Sequence, residues 1–215
     1  MMRTAIVSSA IACAFTASFT ASAQNDVVGG QTNVLLDTSL LSAAAGLDLS
    51  SVSSDVIVPG ELGSSSVAFG INSRSASSLP TTFNYANGLA SFSGTIEHTG
   101  SVFFNSDTVE VGNFTIGFDG ARVGGDRSGF FVESTTGVAA ILFDVKANSV
   151  PQADATGLQI NGDLLVSAEF AGFLGDTGLT GADVGDAFVN AAAVPEPTSL
   201  ALLALGGLAV ARRRR

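Results

Sequence analysis

From Thr81 onward the chain alternates apolar and polar residues, the period-two signature of strands with one buried face. In "NFTIGFD", Phe114, Ile116 and Phe118 fall on one side, and Asn113, Thr115, Gly117 and Asp119 on the other. "ILFDVK" places Ile141, Phe143 and Val145 opposite Leu142, Asp144 and Lys146. "ASFSGTIEH" pairs Phe92 with Ile96, and "TVEV" pairs Val109 with Val111. Turn residues separate these runs at His98 to Gly100, Asn105 to Asp107, Asp119-Gly120, Gly124-Gly125 and Thr135 to Gly137. Short strands at this spacing predict an antiparallel β-sandwich or small barrel, its core supplied largely by the chain's 15 phenylalanines.

Two segments have helical spacing instead. In "DTSLLSAAAG", Asp37 or Thr38 can cap a helix carrying Leu40, Leu41, Ala44 and Ala45, and Gly46 can end it. In "SAEFAGFLG", Ser167 is a cap, Glu169 lies in the first turn, and Gly175 is a stop. Val34 to Leu36 reads as a short strand. The Ser-rich links at 50–54, 63–66 and 72–80 make the first portion look loosely built. "DTGLTGADVGDAFVNAA" reads as a Gly-rich loop followed by a last strand, Ala187 to Asn190.

The two ends break from both patterns. Arg3, an apolar stretch from Ala5 to Phe15 and the small-residue end Ala21-Ser22-Ala23 predict a secretory signal peptide cut between Ala23 and Gln24. A rival route would acylate Cys13, but "AIAC" matches a lipoprotein box poorly. At the other end, "VPEPTSLALLALGGLAVARRRR" holds Val194 and Glu196 extended through Pro195 and Pro197. The apolar run follows, with Leu200, Leu202, Leu203, Leu205, Leu208 and Val210 as its anchors, and Arg212, Arg213, Arg214 and Arg215 close the chain. From Thr198 to Ala211 it spans about 21 Å as a helix, against about 30 Å of hydrocarbon. Four arginines cannot be buried unpaired in a core, but they can snorkel to a cytoplasmic interface and lengthen the span. The chain therefore divides into a signal peptide (1–23), an acidic β-rich extracytoplasmic domain (24–193) and a C-terminal signal (194–215). A signal helix and a hydrophobic helix flank a mainly β body with one or two short helices.

Motif, apolar segment and basic end, in that order, resemble the PEP-CTERM sorting signal of Gram-negative bacteria. The resemblance implies that Val194, Pro195, Glu196 and Pro197 are read by an exosortase, a membrane cysteine enzyme thought to cut there. It also implies export by the secretion machinery, transient anchoring by the C-terminal helix, and release to the cell surface or the extracellular polysaccharide matrix.

Charge narrows the function further. Between Gln24 and Val194 there are 18 acidic residues against four basic ones (Arg74, Arg122, Arg127, Lys146), a net charge of −14. Such a domain stays soluble and repels phosphate backbones, which excludes nucleic-acid binding. Once the signal peptide is cut, no cysteine remains for disulfide, nucleophile or metal ligand. His98 is the only histidine, which leaves little for a catalytic triad or an imidazole zinc site; it is expected exposed at a strand end, with Glu97 or Asp107 nearby. Tyr85 and His98 are residue types that ligate haem iron in some surface β-domains, with nothing else here to join them. Asp176, Asp183 and Asp186, in their Gly-rich loop, are the calcium candidates, although they match no EF-hand spacing. No other cofactor is indicated. The preferred reading is a non-enzymatic structural or adhesive protein. The alternatives are a polysaccharide- or calcium-binding module and a secreted carbohydrate hydrolase.

Overall fold

The computed structural model describes residues 24–196, and these form mostly strand. In chain order the elements begin with β1 (Gln24–Leu36), α1 (Thr38–Ala45), β2 (Leu49–Val52), β3 (Val56–Ile57) and β4 (Val67–Gly70). Five short or medium strands follow: β5 (Asn84–Ala86), β6 (Phe92–Ser93), β7 (Ile96–Glu97), β8 (Ser101–Phe104) and β9 (Val109–Phe118). The last part holds β10 (Phe130–Gly137), β11 (Ala140–Ala147), β12 (Gln152–Ala153), β13 (Gly157–Val166), α2 (Ala168–Leu174) and β14 (Asp183–Pro195).

The main path of the sheet is β2-β8-β9-β10-β11-β13-β14-β1-β4-β3, and every recorded strand pair is antiparallel. Its two flanks meet. β7 pairs with β9, and just beyond it His98 bridges Ile71, the residue after β4. Asn72 N donates to Glu97 O (2.8 Å) along this seam, while Ile71 N donates to Gly30 O (2.9 Å) on the β1 side. The result is a nearly closed antiparallel barrel, which removes most of the exposed sheet edge.

The two helices form where caps were expected. Asp37 Oδ1 accepts from Leu40 N (2.9 Å), and Gly46 ends α1 in the left-handed region at φ 63°. Ser167 Oγ accepts from Phe170 N (3.0 Å), and Gly175 at φ 76° ends α2. Aromatic rings fill much of the core: Phe69 meets Phe114 edge-on at 4.8 Å, and Phe92 stacks on Phe130 at 5.5 Å. Phe118, at the end of β9, is 41% exposed but still contacts both Phe92 and Phe130.

Four sequence expectations are corrected. Val34 to Leu36 is the end of a 13-residue strand rather than a short one, so the first portion supplies a central stave of the barrel. The last strand is not confined to Ala187–Asn190; it runs from Asp183 to Pro195 and pairs with both β13 and β1. Leu142 does not face outward. A bulge sets Val132 against Phe143 but Glu133 against Ile141, so Leu142 is the extra residue and is 1% exposed. His98 is likewise 1% exposed, because the seam covers it.

Candidate functional site

The C-terminal signal is joined to the barrel without a linker. Val194 lies opposite Asp26 and Pro195 opposite Asn25, and Glu196 N donates to Gln24 O at 2.8 Å. β14 thus runs past the 193/194 boundary into the motif, with Val194, Pro195 and Glu196 exposed. Gln24, the first residue after the expected signal-peptide cut, occupies the same rim. Ala21, Ala23, Pro197, the anchor residues Leu200 to Val210 and Arg212 to Arg215 lie outside the described residues. Among the described residues no helix is long and apolar enough to cross a membrane.

Inside the barrel, His98 is held by two bonds. Nδ1 lies 2.9 Å from Phe114 O and Nε2 lies 2.8 Å from Thr32 Oγ1. A carbonyl can only accept, so Nδ1 carries the proton of the neutral ring and Nε2 accepts from the Thr32 hydroxyl. Burial lowers the His98 pKa to about 4, against a smaller opposing effect of the Phe114 carbonyl. Glu97 does not orient the ring; its two oxygens accept from Thr95 Oγ1 and Thr115 Oγ1, each at 2.6 Å. Tyr85 is committed elsewhere, donating to Asp154 O at 2.8 Å, and burial followed by the charge of Asp154 raises its pKa to about 12. The two are therefore not joined as a ligand pair. Beside His98 lies an apolar cavity of ≈ 70 Å³, walled by residues such as Phe69, Phe114, Leu142 and Ile160.

The calcium candidates are not gathered. Asp176 Oδ1 accepts from Gly178 N (2.9 Å), Asp183 Oδ1 from Gly185 N (3.2 Å), and Asp186 faces Leu35 and Asp163 across the sheet. Two of the three carboxylates thus brace local turns. Among the described residues, no group of three or more His, Cys, Asp or Glu could hold a metal ion.

A polar groove of ≈ 660 Å³ lies on the outer face of β12, β13, β14 and β1. Gln152 is paired with Gln159, Gln159 with Asn190, and Asn190 with Gln31. Their neighbours Ile160, Val189 and Thr32 face the inner cavity, so the four carboxamides form one row on the outside. Gly157 and Ala192 give the groove a low floor, and Asp154 and Glu61 line it with charge. At Gly30, also in the lining, φ is +115° and a Cβ would stand 2.3 Å from Asn190 O. Glycine is required for β1 to approach β14 this closely. Sequence reasoning missed this row, because its members fall together only through strand register.

A nearly closed antiparallel barrel whose last strand runs into a Pro-Glu-Pro segment is a secretory β-domain with its sorting address at the C-terminal end. That address is the PEP-CTERM protein-sorting motif, matched over residues 193–215. The motif indicates an extracellular protein, exported and processed at the membrane by exosortase. The barrel itself is similar in fold to the C-terminal domain of HtaA from Corynebacterium glutamicum. The TM-score is 0.50 at 13% identity, covering 79% of this chain and 99% of that one. No curated protein matches the chain in sequence.

Proposed function

We propose that the protein is a non-enzymatic surface or extracellular-matrix component of a Gram-negative bacterium, with a structural or adhesive role after its signal has been processed. The observation that carries this reading is the sorting motif, continuous with the barrel's last strand. The sole histidine is spent on the core, which favours a non-catalytic role. The hydrolase alternative is less favoured. A glycosidase needs one carboxyl held protonated, whereas Asp154, in the groove, is held below its ordinary pKa by bonds from Thr156 N, Thr156 Oγ1 and Gly157 N.

Replacing Pro195, Glu196 and Pro197 with alanine tests the sorting step. The variant is expected to stay uncut in the inner membrane by cell fractionation and immunoblotting. Unchanged delivery to the surface would refute the reading.

A further inference from the structure

The geometry points to the outer groove as a binding site for an extended neutral polysaccharide, with the four-amide row as its recognition element. Adjacent strands are about 4.8 Å apart, so Gln152, Gln159, Asn190 and Gln31 span about 14 Å, room for a short run of sugars. Each carboxamide offers two donors and an acceptor, which matches neighbouring sugar hydroxyls that both donate and accept. Among the described residues Gln152, Gln159 and Asn190 make no side-chain hydrogen bond, so their capacity is free. Gln31 is set in place, its Nε2 donating to Asn33 Oδ1 at 3.2 Å, which leaves its carbonyl oxygen free.

The surroundings favour a fixed site. Asp154 Oδ1 takes the three bonds from Thr156 and Gly157, and Tyr85 Oη clamps the Asp154 carbonyl, so this wall is rigid before any ligand arrives. On the low floor of Gly157 and Ala192 a ring can lie close to the backbone. Charge selects the polymer class. Asp154 and Glu61 line the groove and no cation does, so uronate or sulfated chains are repelled while uncharged hydroxyls are accepted. No aromatic ring lines the groove, which makes binding at this single site weak.

This deepens the surface-protein reading and rests on it only for access to the polymer. The test is affinity electrophoresis of the full-length chain in neutral detergent, through native gels containing hydroxyethyl cellulose, galactomannan or dextran, with polygalacturonate as the anionic control. At least one neutral polymer should retard the chain and polygalacturonate should not. The double variant Gln159→Ala/Asn190→Ala should weaken retardation at least tenfold, with its thermal unfolding checked alongside. Gln152→Ala, on the exposed edge strand, is the milder companion and should weaken it about threefold. Absence of retardation in every neutral gel, or equal retardation of the wild type and either folded variant, would overturn the proposal. A chain delivered to the surface yet unretarded would refute the groove alone, and a retarded chain that never leaves the inner membrane would refute the sorting reading alone.

Discussion

His98 gives this barrel a defined acid sensitivity. In the folded protein its pKa is lowered to about 4 by burial, from 6.5 in an unfolded chain. The unfolded state therefore takes up a proton first as pH falls. The contribution is complete above pH 6.5, declines by about 1.4 kcal/mol per pH unit below it, and is fully lost below about pH 4. Across that window it amounts to about 3 kcal/mol, a large share of the stability of a typical domain. Urea unfolding of the wild type and of His98→Gln between pH 7.5 and 4 isolates the effect, since the carboxylates titrate in both. The variant should be less stable at pH 7.5 and should close the gap by about 3 kcal/mol as pH falls to 4. Parallel pH profiles, or a histidine ring titrating near 6.5 by NMR in the folded protein, would refute the assigned burial.

Two further sites give independent tests. Arg122 joins Asp144 (2.7 Å) to Glu169 at the start of α2; burial opposes its charge, but bonds to the two carboxylates outweigh burial and raise its pKa. Arg122→Ala would strand the Asp144 side chain, 3% exposed, with only Arg127 at 3.7 Å, and should cost about 3 kcal/mol in urea unfolding. A loss below about 1 kcal/mol would show that the pair is not structurally coupled. In the β8–β9 turn, Asn105, Ser106 and Asp107 all hold positive φ (54°, 56° and 64°), and the Ser106 side chain makes no hydrogen bond there. Ser106→Gly should therefore stabilise by about 0.5–1 kcal/mol, read as a raised melting temperature. A lowered one would contradict the turn geometry.

What could be read from the chain followed how local each feature is. Both helices were legible because a cap, an apolar stripe and a glycine stop sit within ten residues. The terminal signal was legible for the same reason. β1 was not, because its bulge between Val27 and Gly29 reverses the alternation: Val27 is buried before it, whereas Thr32, Val34 and Leu36 line the interior after it. β11 hid Leu142 by the same device. Closure through the Ile71–His98 bridge, and with it the burial of the only histidine, depends on residues 27 apart in sequence, where no periodicity reports contact. The groove is the extreme case. Gln31 and Gln152 sit at opposite ends of a row that exists only once β1, β14, β13 and β12 are in register.

Pairing of the sorting motif with β1 raises the question of how a membrane enzyme could read it. The structure makes the opening inexpensive. Val194 is 48% exposed and Pro195 and Glu196 are exposed, so little apolar surface is lost when this end peels away. Freeing Pro195 and Glu196, with the Val194–Asp26 pair left in place, breaks only the Glu196 amide bond to Gln24 O, a cost of about 1.5 kcal/mol. Fraying at that cost leaves the end open about a tenth of the time, enough for a processing enzyme to capture it as an added strand. Hydrogen exchange measures this directly. The Glu196 amide should be protected only about tenfold, while those of Val189 and Ala191, between β13 and β1, should show protection orders of magnitude higher. Equal protection along the whole of β14 would mean the motif is locked into the barrel, and processing would then require residues beyond Glu196 to be read alone.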